Sequence, residues 1–201
     1  MLTILAATVL QAPSAADFFP LIPGTKWTYE MTGSGSGSYT QEVGFPVDVE
    51  GKKLTPIFVK SGSKITQTTF YDCASTNVSL LGYSAKKLFD RPQPVFQIAE
   101  KGAQWTFDGP SPYEGDDAGK MSLKGQSKVV GMRDVLGEKR LCLEVKTEAK
   151  IGITDDTSTR FVQVAIYAKD VGLAEMDETV TLGKRTNRRK VKLISMEKPG
   201  A

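Results

Sequence analysis

The chain has 201 residues, of which 40% are hydrophobic and 24% charged, and its formal net charge is +3. This length fits one domain with its own core, and the composition excludes a largely disordered chain. Lysines and arginines are spread along the sequence, which does not indicate a nucleic-acid surface. Histidine is absent, which excludes the Ser-His-Asp and Cys-His catalytic arrangements and most zinc sites. We therefore expect neither a metal nor a cofactor.

Residues 1–16 have the features of a secretory leader. Leu2 to Leu10 is a continuous apolar run, and Ser14 and Ala16 are small residues suited to cleavage directly after Ala16. The run is shorter than the roughly 20 residues that a membrane-spanning helix needs. No lysine or arginine precedes it, so an incomplete start and a buried first strand stay open as alternatives. The leading prediction is a single mature β-rich domain over 17–201, located in the periplasm or secreted.

Strand signals dominate the rest of the chain. Trp27, Tyr29 and Met31 occupy alternate positions and predict a strand with one buried face. About ten such stretches, with spacings typical of sandwiches and barrels, favour a mainly β fold over a parallel α/β sheet. The strand-like stretches are 26–31, 39–49, 54–60, 65–71, 78–83, 103–107, 141–146, 161–167, 173–176, 179–182 and 191–196.

The segments between these strands are read as turns and loops. Residues 33–38 alternate glycine and serine and predict a flexible tip. Residues 85–90 predict one or two helical turns, and Pro92 and Pro94 are expected to prevent regular structure after them. Residues 111–119 are rich in proline, glycine and acids and predict a loop. None of these segments marks a convincing domain boundary.

Two segments resemble motifs of a group of bacterial exported proteins. The first runs from Phe18-Phe19-Pro20-Leu21 to Tyr29 and is similar to a mature start of the form (Y/F)FPL-x-x-G-x-x-W-x-Y. The second is Tyr167-Ala-Lys-Asp-Val-Gly-Leu173 and is similar to a segment between late strands of the same proteins. The resemblance implies a single strongly curved antiparallel sheet, a half-barrel or barrel-like, with at most one or two short helices. Periplasmic lipoprotein-carrier half-barrels have this general architecture.

The leading functional hypothesis is a non-enzymatic envelope protein that presents an apolar sheet face to a lipid-like ligand or a partner protein. Large aromatic side chains at alternate strand positions either line that face or form the core. They are Trp27, Tyr29, Trp105, Phe107, Phe161 and Tyr167. For Trp27 we expect burial in the main apolar cluster, because its neighbours on the same face are also large.

Two other classes of function stay open. Asp116-Asp117 and Asp155-Asp156 are the acidic pairs that a carboxylate-dependent hydrolase would use. Neither pair has the alternating spacing of a calcium loop, and solvated turns explain both. The other alternative is a purely structural envelope module. The sequence leaves the enzyme question open but favours a protein without catalysis.

A basic cluster near the C-terminus is the strongest local charge signal. It comprises Lys184, Arg185, Arg188, Arg189 and Lys190. Centred on Thr186-Asn187, it predicts a hairpin tip that either contacts an anionic surface or is simply solvated. Alternating aromatics for base stacking are missing, so we expect no nucleic-acid partner.

The chain has two cysteines, Cys73 and Cys142. In an oxidising compartment they allow one disulfide, which would stabilise the fold by about 4 kcal/mol because the loop it closes is long. The alternative is two independent, partly buried thiols, and the sequence does not decide between them.

Overall fold

The computed structural model describes residues 13–86, 88–111, 119–152 and 158–200. Within these ranges the chain forms one short helix and fourteen strands. The elements are α1 Ala15–Phe18, β1 Lys26–Gly33, β2 Gly37–Val43, β3 Val47–Val49, β4 Lys52–Leu54, β5 Pro56–Ser61, β6 Lys64–Cys73, β7 Asn77–Gly82, β8 Gln93–Gln97, β9 Ala103–Pro110, β10 Lys120–Val135, β11 Glu138–Gly152, β12 Thr159–Ala168, β13 Gly172–Leu182 and β14 Arg185–Glu197.

Twelve of the strands form one antiparallel sheet in the order β8-β7-β6-β5-β2-β1-β14-β13-β12-β11-β10-β9, and β3 and β4 form a separate hairpin. Most neighbours in the sheet are consecutive in sequence, and the pairing of β1 with β14 joins the two ends of the chain. The sheet curls until its edges nearly meet, and Ser127 Oγ on β10 donates a hydrogen bond to the Gln97 carbonyl on β8 across the gap. The predicted barrel-like antiparallel fold is confirmed.

Alternating burial identifies the inner face of this sheet. Along β10, Met121, Leu123, Gly125 and Ser127 are buried while the residues between them are exposed. The buried residues form two apolar clusters. The first cluster contains Ala15, Phe18, Val78, Phe96, Trp105, Phe107, Met121, Leu123, Leu143, Val145, Ala165 and Tyr167. The second contains Trp27, Tyr29, Val43, Ile57, Val135, Cys142, Ile166, Ala168, Val171, Ala174, Val191 and Leu193.

The N-terminal segment packs into the interior and links the two clusters. Phe18 is fully buried in the first cluster, and Phe19 contacts both. The Phe19 ring centroid lies 4.8 Å from that of Tyr71 and 6.3 Å from that of Tyr167. The Asp170 amide donates a 2.7 Å hydrogen bond to the Asp17 carbonyl, which ties this segment to the turn before β13. We call this region, packed around Phe18 and Phe19, the filled end of the interior.

Helix α1 contains the point at which leader cleavage is predicted. The Ser14 amide donates to Asp17 Oδ2 at 2.9 Å, and the Ala15 amide donates to the Ser75 carbonyl at 2.8 Å. Ala15 is fully buried. Cleavage directly after Ala16 would remove both of these donors. That cleavage stays a prediction, and the apolar run of the leader lies outside the described residues.

Proline explains two differences between the predicted and the observed strands. Residues 93–97 form the strand β8, although Pro94 was expected to prevent it. Because β8 lies at the edge of the sheet, it tolerates a residue without an amide hydrogen. Conversely, the predicted strand 39–49 ends at Val43, resumes at Val47, and is interrupted around Pro46.

Three further expectations were wrong. The described part of 85–90 contains no helix. The hairpin turn of the basic cluster lies at Gly183-Lys184, where Gly183 has a positive φ of 56°, so Thr186-Asn187 belongs to β14. Cys142 shares a strand face with Glu144 and Lys146, a pattern that predicts a solvated position, but Cys142 is fully buried in the second cluster.

Candidate functional site at the open end of the inner face

Five of the six predicted ligand-binding aromatics lie in the packed interior. The second cluster contains Trp27 and Tyr29, which confirms the expected burial of Trp27, and the first contains Trp105, Phe107 and Tyr167. Each of these five is at most 7% exposed. Their surfaces are already covered by protein, so the structure gives them packing roles. A ligand-binding role for the six aromatics stays a prediction.

Phe161 differs from the other five aromatics. It is only half-buried and belongs to neither apolar cluster. The strand register places it opposite Ala149 on β11 and Val180 on β13, both also half-buried. These three side chains share a face with Ala165, a core residue four positions further along β12. They therefore form an apolar row on the inner face, which continues the first cluster from Leu123, the register partner of Ala149.

A row of polar side chains lies between this apolar row and the inner-face row of Val145, Ala165, Met176 and Val191. Thr147, Gln163, Glu178 and Arg189 are successive register partners across β11, β12, β13 and β14. All four are half-buried. On the other side, Thr147 pairs with Gly125 of β10, and Gly125 pairs with Trp105 of β9. We call the apolar row and this polar row together the open end of the inner face.

Arg189 and Glu178 form a two-point ion pair within the polar row. Arg189 Nε lies 2.7 Å from Glu178 Oε1, and Arg189 Nη2 donates to Glu178 Oε2 at 3.1 Å. The contact between Nε and Oε1 does not have the angles of a hydrogen bond, so Nε has no hydrogen-bond acceptor. The Glu178 side chain is 11% exposed and that of Arg189 is 42% exposed. The carboxylate is thus nearly enclosed, while part of the Arg189 side chain is exposed to solvent.

Tyr39 lies beside this ion pair. Its ring stacks on that of Tyr29 with a centroid separation of 5.1 Å. Burial raises the pKa of Tyr39 to about 12, against an opposing effect of Arg189 and with a smaller supporting effect of Glu178. At neutral pH the phenol is therefore protonated, and it can donate or accept a hydrogen bond.

Trp105 closes the other end of the polar row. Its side chain covers Gly125, and its Nε1 is buried without a hydrogen-bond partner among the described residues. An unpaired buried donor costs free energy, on the order of 1–3 kcal/mol. The polar row therefore combines one unsatisfied donor with one partly exposed guanidinium. The polar row was not predicted from the sequence. The signal that could have revealed it is the presence of polar residues at positions of these strands where alternation predicts an inward-facing apolar residue.

The basic cluster separates into two groups. Arg189 faces inward to Glu178, and Lys190 Nζ lies 3.5 Å from Asp177 Oδ1 on the outer face. Within the described residues, Lys184, Arg185 and Arg188 form no ion pair. All three are exposed at the hairpin tip. The contact of the cluster with an anionic surface stays a prediction.

The cysteines are free thiols in this structure. Cys73 packs against the first cluster and Cys142 belongs to the second. Burial raises the pKa of the Cys73 thiol to about 12 and also raises the pKa of Cys142. Their thiolate fractions at neutral pH are therefore small, and neither is an activated nucleophile.

The acidic pairs of the hydrolase hypothesis, Asp116-Asp117 and Asp155-Asp156, lie outside the described residues. Within the described ranges, His, Cys, Asp and Glu side chains form no group of three that could hold a metal ion. A helix both long and apolar enough to cross a membrane is likewise missing from those ranges.

A pocket of about 500 Å³ lies on the outer face, across β9, β10 and β11. Glu144 lies within it, 3.3 Å from Lys146 Nζ and 3.7 Å from Lys128 Nζ. The rest of its lining is mainly lysine, glutamine and glycine. These are ordinary residues of a solvated sheet face, whereas the polar row occupies an inner face where apolar residues are expected. The open end is therefore the stronger candidate site.

The fold and the site define a barrel-like β-protein whose interior is packed around Phe18 and Phe19 and is partly exposed on β12 and β13 at the level of Phe161. A solved structure of a provisionally assigned lipoprotein from Parabacteroides distasonis is similar, with a TM-score of 0.51 and 12% identity over 93% of this chain and 100% of that chain. The likeness shows that the two chains share a fold.

Two other solved structures are more distant. A provisionally assigned exported protein with a YmcC-like fold, from Bacteroides fragilis, has a TM-score of 0.44 and 12% identity over 88% of this chain and 96% of its own. The hypothetical lipoprotein YmcC from Escherichia coli has a TM-score of 0.38 and 10% identity over 92% of this chain and 91% of its own. No family model matches the chain, and no curated protein matches it significantly.

Proposed function

We propose that this chain is an exported, non-enzymatic envelope protein that binds a lipid-like ligand at the open end of its inner face. The observation that carries the proposal is the contrast between the filled end of the interior and the part of the open end that β12 and β13 form. Phe18 and Phe19 fill one end, whereas Phe161 and Val180 at the other end are half-buried and belong to neither cluster.

Two observations support export. Residues 1–16 have the composition of a secretory leader. The Parabacteroides protein of the same fold is provisionally assigned to the lipoproteins, and a lipoprotein acts in the cell envelope. The location that we propose for this chain is accordingly the periplasm or the extracellular space.

The chemistry of the open end supports an amphiphilic ligand. The row of Ala149, Phe161 and Val180 offers apolar area, and covering it would gain roughly 25 cal/mol per Å². The polar row beside it would accept the polar part of the same molecule, as ligand sites do when a few polar groups orient an apolar body. An entirely apolar ligand would leave the polar row without a binding partner, and an entirely polar ligand would leave the apolar row uncovered.

The test begins with protein purified from its native host. Organic extraction and mass spectrometry of the bound molecules should give an amphiphile at a stoichiometric amount. Delipidated protein should then bind a fluorescent fatty acid, and Phe161→Ala should weaken that binding several-fold because the ligand loses apolar contact.

Val162→Ala is the matched control, because Val162 is the next residue of β12, is also half-buried and lies on the outer face. It should leave binding unchanged. Equal loss of binding in both variants, or no binding of any amphiphile to the native protein, would overturn the proposal. The latter result would favour the structural envelope module.

A further inference from the structure

The polar row poses a chemical question that an apolar ligand does not answer. A nearly enclosed carboxylate such as that of Glu178 must recover its desolvation free energy, and apolar residues at such positions are often as stable or more stable. Glu178 and Arg189 nevertheless lie on the inner face, between Met176 and Val180 on β13 and beside Val191 on β14. A role in orienting the ligand explains why charges are placed there.

We propose that the ligand of the open end carries an anionic group, a carboxylate or a phosphate, and that Arg189 binds it. This inference rests on the proposed function and adds the chemical class of the ligand.

The geometry of the ion pair leaves a binding edge free. A guanidinium has five N–H donors in a planar fork and can serve two anions on two edges. Glu178 occupies the edge formed by Nε and Nη2. The edge formed by Nη1 and Nη2 has no acidic partner among the described residues, and the Arg189 side chain as a whole is 42% exposed. Glu178 thus holds the guanidinium in one orientation for the second anion.

Neighbouring donors suit the same group. The Tyr39 hydroxyl is protonated at neutral pH and lies within electrostatic range of Arg189. Gln163 is the register partner of Glu178 and contributes an amide to the same row. A carboxylate or phosphate accepts several hydrogen bonds at once, and those from charged donors are the strongest. An uncharged headgroup would use these donors less fully.

The test compares ligands that share one acyl chain. Dodecanoate, dodecyl phosphate and the uncharged monododecanoyl glycerol each displace an uncharged fluorescent probe from the delipidated protein. We expect at least one of the two anions to bind about tenfold more tightly than the glycerol ester, since a hydrogen bond to a charged group has that size of effect. The tighter of the two anions identifies the headgroup.

Adjacent basic residues provide the matched variants. Arg189→Gln should abolish the preference for the anion, whereas Lys190→Gln, on the exposed outer face of the same strand, should keep it. Glu178→Gln should increase the preference, because a competing carboxylate is removed. The double variant with Glu178→Gln and Arg189→Gln leaves no unpaired charge in the interior and gives a folded protein without preference.

The outcomes separate the two proposals. Failure of all three amphiphiles to bind would overturn the proposed function and with it this inference. Equal binding of anionic and uncharged amphiphiles, or an anion preference that survives Arg189→Gln, would overturn the inference and leave lipid binding in place.

Discussion

The indole of Trp105 occupies the space above Gly125 in which any other residue would place its Cβ. The two residues are register partners on β9 and β10, so the large ring covers the glycine across the strand pair. Trp105 is 7% exposed and Gly125 is buried. The contact is a size match between one large and one minimal residue.

Gly125→Ala should therefore destabilise the protein. The added methyl group overlaps indole carbons and displaces Trp105 from the first cluster, and overpacking of this kind costs about 1–3 kcal/mol. Urea denaturation monitored by tryptophan fluorescence measures the change. Lys124→Ala, at the next and exposed position, should change stability by less than about 0.5 kcal/mol. Equal stability of Gly125→Ala and the native protein would contradict the observed packing.

Trp27 provides a second test of the interior. Its Nε1 donates a 2.6 Å hydrogen bond to the Val171 carbonyl, and its ring belongs to the second cluster. Trp27→Ala should cost about 3–5 kcal/mol, the range for deleting a buried aromatic. Trp27→Phe keeps most of the apolar contact and loses the hydrogen bond, so it should cost about 1–3 kcal/mol.

Equilibrium unfolding of both Trp27 variants gives the comparison. If Trp27→Ala keeps full stability and loses ligand binding instead, Trp27 lines the site rather than the core. Unchanged stability together with unchanged binding would contradict both interpretations.

Sequence patterns predicted the fold where the inner residues are large. The alternation of Trp27, Tyr29 and Met31 corresponds to β1 and to its buried face. The same reasoning missed β10, although it is the longest strand described. Its inner positions include Gly125 and Ser127, which carry no apolar signal. Trp105 covers Gly125, and Ser127 donates a hydrogen bond to Gln97 across the gap between the sheet edges. Both contacts are made with other strands and are not visible in the local sequence.

The candidate site was harder to predict for a related reason. Thr147, Gln163, Glu178 and Arg189 come from four separate strands, and only the register brings them into one row. Arg189 in particular was grouped with its basic neighbours, because a run of basic residues in the sequence does not show which side chain points into the interior. In a strand, adjacent side chains point to opposite faces, so Arg188 and Arg189 have different environments.

Alkaline pH should destabilise the protein. Burial raises the pKa of Tyr39 to about 12 and raises the pKa values of Tyr29, Tyr71 and Tyr167, all above the ordinary value of 10.0. For an acid whose pKa is higher in the folded state, stability is fully present below the unfolded pKa and is lost as the pH rises through the folded pKa. The melting temperature should therefore fall from about pH 10 upward.

Thermal unfolding across this pH range, with tyrosinate absorbance as a parallel signal, tests the expectation. Four tyrosines should ionise late and together with unfolding. Tyr39→Phe removes one of these groups and should make the fall in melting temperature less steep. Ionisation of every tyrosine near pH 10 in a protein that stays folded would show that these phenols are not buried.

The basic hairpin tip gives the last prediction. Lys184, Arg185 and Arg188 are exposed without an ion pair in the described part of the chain, and Leu182 beside them is 56% exposed. Each basic residue near an anionic membrane contributes about 1 kcal/mol. Replacing all three by glutamine should therefore weaken binding to phosphatidylglycerol vesicles by about a hundredfold, and added salt should weaken native binding.

The control replaces Lys120, Lys124 and Lys146, which are also exposed, by glutamine. Because both triple variants lose the same net charge, equal weakening would assign vesicle binding to the overall charge, and the tip would then be a solvated turn.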